Sequence, residues 1–146
     1  MRILLVEDEN FKKELIESEL ASFLVAVDMH YARSVQHAVS AIEKILFDLI
    51  ILDIALPSHA LRAGGSQPLS QPSGGVEVLL ELSYDKREDK VIILTQHPEI
   101  EFDGCSYSLD TIAEVFSNRL CVNIGGIIHF HPSDEIWKSK LRENIL

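Results

Sequence analysis

The sequence predicts an α/β fold: a five-stranded parallel sheet, doubly wound, with helices on both faces in the order (βα) repeated five times. Three observations carry this. Short continuous apolar runs recur at wide intervals, Ile3-Leu4-Leu5-Val6, Leu49-Ile50-Ile51-Leu52 and Val91-Ile92-Ile93-Leu94, as strands buried on both faces read. Segments with helical period lie between them, and parallel neighbours need crossovers of that kind. The chain has 146 residues, 47% apolar and 25% charged, with only 7 Gly and 5 Pro. That fits one compact domain over residues 1–146 rather than a disordered chain.

The elements follow in order. After the first apolar run, Asn10 is a plausible N-cap for a helix carrying Phe11, Leu15, Leu20, Phe23 and Leu24 on one side. Residues 25–32 read as a weaker second strand. Ser34 caps a helix with Val35, Ala38, Val39, Ile42, Ile45 and Leu46 on one face. The run 49–52 is the third strand, closed by Asp53 and Pro57, and 76–84 is helical. The run 91–94 is the fourth strand. Ser108 caps a helix with Leu109, Ile112, Ala113, Phe116 and Leu120, and residues 126–130 form the last strand. Ser133 then starts a closing helix with Ile136, Trp137, Leu141 and Ile145 toward the core. Two connections are long. Residues 58–75 hold four Gly, four Ser and two Pro, a composition that suggests a mobile loop. Residues 96–107, with His97, Pro98 and Cys105, form the second.

Composition excludes several functions. Net charge is −10, from 13 Lys+Arg against 23 Asp+Glu. In the densest basic stretch, 85–90, acids balance bases, so direct nucleic-acid binding, which draws on clustered Lys and Arg, is not expected. The acidic balance favours solubility, a bound cation or a basic partner surface. No apolar run is long enough to span a membrane and the N-terminus lacks a signal-peptide pattern. Cys105 and Cys121 match no metal or disulfide spacing and read as a loop thiol and a packed small residue. A cytoplasmic setting is the economical expectation.

Chemistry gathers at the strand ends. In an open parallel sheet, ligands bind outside the carboxyl ends of the strands, where the winding direction switches. The first strand ends in Glu7-Asp8-Glu9, the third in Asp53, the fourth in Thr95, and the fifth near His129 and His131. If the first and third strands are neighbours, their ends lie about 5 Å apart. Like charges held that close call for a cation, and hard carboxylate oxygens suit Mg²⁺ or Mn²⁺. A carboxylate beside such a metal can attack a phosphoryl group, with Thr95 placed to donate a hydrogen bond to it. Each acid alone could simply favour the start of the next helix; matched groups on three strand ends argue for a site. His129 and His131 share a strand face and could join His97 and Asp53 at a transition metal, although hydrogen-bonded strand-end histidines are the plainer reading.

Met1 to Glu9 (MRILLVEDE), Phe47 to Pro57 (FDLIILDIALP) and Val91 to Thr95 (VIILT) together resemble the receiver domain of bacterial two-component response regulators. Gly75-Val76-Glu77-Val78-Leu79-Leu80 is similar to the start of the family's third helix. The resemblance implies a flavodoxin-like sheet order and assigns roles by position. Asp53 matches the phosphoacceptor, served by a histidine kinase or a phosphotransfer protein. Glu7 and Asp8 match the Mg²⁺-binding acids, Asp8 directly and Glu7 through water, with the Ala55 carbonyl as a further ligand. Thr95 matches the hydroxyl that moves toward the phosphoryl group.

The sequence also departs from that pattern. The family carries a lysine before a proline at the end of the fifth strand, where His131 precedes Pro132. A histidine is a cation there only when protonated, near its ordinary pKa of about 6.5. Ile128 stands where the family places its switch aromatic. The favoured expectation is an atypical stand-alone receiver, a phosphoacceptor rather than a turnover enzyme, acting on a separate effector protein. The face of the fourth helix, fifth strand and fifth helix is the implied contact, for a partner or for a homodimer. The alternatives are a pseudo-receiver that docks partners without phosphate, using 58–75 as a binding loop, and a small metal-dependent phosphatase.

Overall fold

The computed structural model describes residues 1–59, 70–71 and 73–146. Along the chain these form β1 (Arg2–Val6), α1 (Asn10–Phe23), β2 (Asp28–Ala32), α2 (Val35–Lys44), β3 (Leu49–Leu52), β4 (Leu56–Pro57) and β5 (Ser70–Gln71). They continue with α3 (Gly74–Tyr84), β6 (Lys90–Thr95), β7 (Glu99–Phe102), β8 (Cys105–Ser108), α4 (Leu109–Leu120), β9 (Ile124–His129) and α5 (Ile136–Ile145). The main sheet has the order β2-β1-β3-β6-β9 and is parallel throughout. This is the doubly wound arrangement expected, with the winding reversed between β1 and β3.

Strand side chains alternate between the two faces, which is why the central strands carry unbroken apolar runs, Ile3–Val6, Leu49–Leu52 and Val91–Leu94. Ile3, Leu5, Ile51, Ile92 and Leu94 pack with Ile16 and Leu20 of α1 and Trp137 and Leu141 of α5. Leu4, Val6, Ile50, Leu52 and Ile93 pack with α2, α3 and α4 through Ala38, Ile42, Leu79, Ile112 and Phe116. Trp137 seals α5 against Phe130, with ring centroids 4.9 Å apart.

Several local expectations are corrected. The buried stripe of α1 is Lys12, Ile16, Glu19 and Leu20, while Phe11 is 57% exposed. Asn10 is the first helical residue, and its side-chain oxygen accepts from Arg33 instead of capping. Ser34 does cap α2, accepting from the His37 amide at 3.1 Å. Leu46 lies beyond that helix and Ile136 opens α5, and both face solvent. The second strand begins only at Asp28, after Ala26 turns through a left-handed φ of 57°. Cys121 is exposed rather than packed, because it closes α4 as a left-handed residue.

Residues 96–107 are not an irregular loop. Most of this connection is an antiparallel hairpin, β7 with β8, pairing Phe102 with Cys105 around Asp103-Gly104. Both turn residues have positive φ, 52° and 79°, the conformation that favours Asp-Gly in a two-residue hairpin. In the other long connection, β4 pairs with β5; the remainder of the expected mobile loop, 60–69 and 72, lies outside the described residues.

Candidate functional site

The topology places three strand ends side by side. Val6 is level with Leu52 across β1 and β3, and Leu52 is level with Ile93 across β3 and β6. Glu7-Asp8, Asp53 and Thr95 therefore leave adjacent strands at one end of the sheet. Backbone bonds fix the acids at their roots: the Glu7 amide donates to the Ala32 carbonyl and the Asp53 amide to the Val6 carbonyl, both at 3.0 Å. Arg33 donates to the Asp8 carbonyl at 2.9 Å.

The three carboxylates meet. Glu7, Asp8 and Asp53 each offer an oxygen within 4.8 Å of the others. Glu7 is buried, and its Oε1 accepts from the Glu9 amide at 3.1 Å. Burial first, and the Asp53 charge second, push the Glu7 carboxyl up to about 8, against the pull of Lys12. Asp8 is raised as well, by desolvation and then by Asp53. Three carboxylates gathered this closely fit a hard divalent cation such as Mg²⁺ or Mn²⁺, which would favour their ionised forms.

The cation within this cluster is one that sequence reasoning missed. Lys12, 1% exposed, reaches from the first turn of α1 to place Nζ 2.8 Å from Glu7 Oε2 and 3.3 Å from Asp53 Oδ2. It donates a hydrogen bond to the Leu94 carbonyl at 2.8 Å, and its Nζ lies 5.4 Å from the centre of the Phe130 ring. The signal was present in the i, i+4, i+8 spacing of Lys12, Ile16 and Leu20, one residue out of step with the Phe11 register.

The other expected residues are placed as follows. Thr95 is fully buried and its hydroxyl oxygen accepts from the His97 amide at 3.1 Å. The Ala55 amide faces Asp53 Oδ1 at 3.4 Å. His131 is exposed beyond the end of β9, its ring edge-on to His129 at 5.4 Å, and it forms no ion pair with these acids. His129 instead bonds the Gln96 carbonyl at 2.9 Å. Among the described residues, the acids are the group with ligand atoms gathered closely enough for a metal; His97, His129 and His131 do not join them. Gly74 and Gly75 bring the start of α3 against this end of the sheet. The Gly75 amide donates to the Ile54 carbonyl at 2.7 Å, and a Cβ there would meet the Asp53 carbonyl oxygen at 2.5 Å.

No protein-family model matches the chain. It is 32% identical over 145 residues to the Detocs response regulatory protein DtcB of Vibrio alginolyticus, covering 97% of each chain. Among solved structures it is similar to the Mn²⁺-bound form of the response regulator Rcp1, with a TM-score of 0.67 at 20% identity, covering 97% of this chain and 89% of that one. It is likewise similar to the response regulator TrrA of Thermotoga maritima in complex with Mg²⁺-BeF, with a TM-score of 0.62 at 22% identity, covering 98% and 97%. A relative matched from end to end and a shared receiver fold agree with the expectation drawn from the motifs: the chain belongs to the response-regulator family.

Proposed function

We propose that this chain is an atypical receiver, one domain over residues 1–146, that takes a phosphoryl group on Asp53 in a phosphorelay and regulates an effector protein in the cytoplasm. The observation that carries this reading is the convergence of Glu7, Asp8 and Asp53 within 4.8 Å at the switch point of the sheet. In the step, a carboxylate oxygen of Asp53 attacks the donor's phosphorus. The new O–P bond forms as the donor's P–O or P–N bond breaks, and the leaving group keeps the electron pair. The donor is a histidine kinase, a phosphotransfer protein or a small acyl phosphate.

Asp8 and Asp53 would hold Mg²⁺ or Mn²⁺ directly, with the Ala55 carbonyl beside them and Glu7 acting through water. A bound ion there neutralises charge on the transferring oxygens. The Thr95 hydroxyl, which accepts from His97, keeps its own hydrogen free to donate toward the phosphoryl group. His131 adds positive charge only when protonated. The face of α4, β9 and α5 is the contact for a partner or for a second copy.

The test is intact-protein mass spectrometry after incubation with Mg²⁺ and acetyl phosphate. The expected result is one phosphoryl adduct, absent without Mg²⁺ and absent in Asp53→Asn. A wild-type protein that stays unmodified by both acetyl phosphate and a phosphorylated histidine-containing donor contradicts the reading. One observation favours a second reading, a pseudo-receiver that binds partners without phosphate: Lys12 already supplies the acids with an internal cation. That protein would bind its partner equally well as Asp53→Asn and without Mg²⁺.

A further inference from the structure

The end of β9 presents no lysine to Asp53, yet a phosphoryl group carrying negative charge on its oxygens needs fixed positive charge close by. We propose that Lys12 supplies it, so that the ammonium group that holds a phosphoryl oxygen on Asp53 comes from α1 rather than from the end of β9. The inference rests on the phosphoacceptor reading of Asp53.

Three features of Lys12 support it. Its Nζ already touches the acceptor, 3.3 Å from Asp53 Oδ2. An ammonium has three N–H donors; one is directed to the Leu94 carbonyl, and the others face Glu7 and Asp53. Oxygens of a phosphoryl group joined to Asp53 would stand just beyond the carboxylate oxygen that Nζ now approaches. A flexible four-carbon stem lets the ammonium follow them.

The position is also hard to explain as packing. A buried ammonium is costly without partners, and an apolar residue would complete the Ile16 and Leu20 stripe more simply. The chain instead places its cation four residues after Asp8, so one β1–α1 segment carries both the acids and the charge that answers them. The Leu94 carbonyl that holds Nζ immediately precedes Thr95, which ties the cation to the hydroxyl strand. His131, exposed and turned to His129, does not occupy this place.

The experiment compares wild type, Lys12→Met and Lys12→Arg, each shown to be folded by circular dichroism. Three quantities are read: labelling by acetyl phosphate, affinity for trifluoroberyllate with Mg²⁺ present, and affinity for Mg²⁺ alone. For Lys12→Met the expected result is a loss of at least tenfold in labelling rate and in trifluoroberyllate affinity. Mg²⁺ affinity is expected to be unchanged or tighter, because a competing cation has left the acids. Lys12→Arg should recover part of the loss. A purely structural lysine would weaken all three together. Lys12→Met labelling at the wild-type rate overturns the inference and leaves the Asp53 reading standing, whereas a wild type that takes no phosphoryl group overturns the Asp53 reading itself.

Should Lys12→Met not fold, the wild-type protein decides. The ¹⁵N resonance of Lys12 Nζ is expected to shift when trifluoroberyllate is added to the Mg²⁺-loaded protein. A resonance unmoved by bound trifluoroberyllate overturns the inference.

Discussion

Lys12 Nζ lies 2.8 Å from Glu7 Oε2, and the two side chains are only 1% and 2% exposed. A carboxyl so placed responds to two opposed influences: removal from water raises its pKa, while the ammonium lowers it. Desolvation prevails, helped by Asp53, and Glu7 is pushed up to about 8. The metal-free site therefore keeps a proton through neutral pH, and a cation that binds there must displace it.

Mg²⁺ affinity should consequently rise as pH increases from about 6 to about 8, with proton release seen by calorimetry in buffers of different ionisation enthalpy. The stability of the metal-free protein should move the other way. A carboxyl with a raised folded pKa binds more protons in the folded chain than in the unfolded one between the two values, so stability falls as pH rises from about 4.5 to about 8. Urea unfolding across that range should show the decline, and Glu7→Gln should flatten both dependences. Affinity and stability independent of pH in the wild type would contradict the account of Glu7.

At the opposite end of the sheet, Asp89 anchors the start of β3. Its carboxylate accepts from the Phe47 amide at 2.8 Å and from Arg87 Nε at 2.7 Å, while Arg87 also donates to the Ile42 and Ile45 carbonyls behind α2. Burial alone would raise Asp89, but the bonds from Arg87 and Phe47 outweigh it and hold the carboxyl low. This contribution is present above the ordinary carboxylate range and is lost as pH falls through the lowered folded value. Asp89→Ala leaves Arg87 without its carboxylate and should cost about 3 kcal/mol in urea unfolding. Phosphoryl labelling of the folded fraction should persist, because the site lies at the other end of the strands.

Gly75 tests the approach of α3 to the site. An added Cβ would meet backbone atoms, the Asp53 carbonyl oxygen at 2.5 Å and Ile54 Cα at 2.7 Å, which cannot rotate aside as a side chain would. Gly75→Ala should cost about 1–3 kcal/mol and lower Mg²⁺ affinity by moving the 53–55 segment. Wild-type affinity in this variant would show that the segment tolerates displacement.

The parts of this fold that were legible in the sequence share one physical cause. Runs such as Leu49 to Leu52 are apolar at every position because both faces of their strand are covered, and the acids at their ends break the pattern abruptly. Positions 7, 8 and 53 could thus be paired before any contact was known, and the structure brings them together. Lys12 escaped because periodicity was weighted by hydrophobicity. Phe11 draws the helix face toward itself, yet it is the charged neighbour that turns inward, to partners distant in sequence. The hairpin over 99–108 was legible in principle, from Asp103-Gly104 between alternating segments, but strong polarity on both strands masked it as a loop. His131 shows the opposite limit: a family position identifies where a residue stands in the chain and not which way its ring faces.

The most direct test of the central claim is a crystal structure of the wild-type protein grown with Mg²⁺ and trifluoroberyllate. The account predicts beryllium bonded to a carboxylate oxygen of Asp53, the metal on Asp8, and Lys12 Nζ within hydrogen-bond distance of a fluorine. Density for Mg²⁺ at the acids with Asp53 bare would contradict the phosphoacceptor claim. Trifluoroberyllate on Asp53 with Lys12 turned away would retain that claim and remove the role assigned to Lys12.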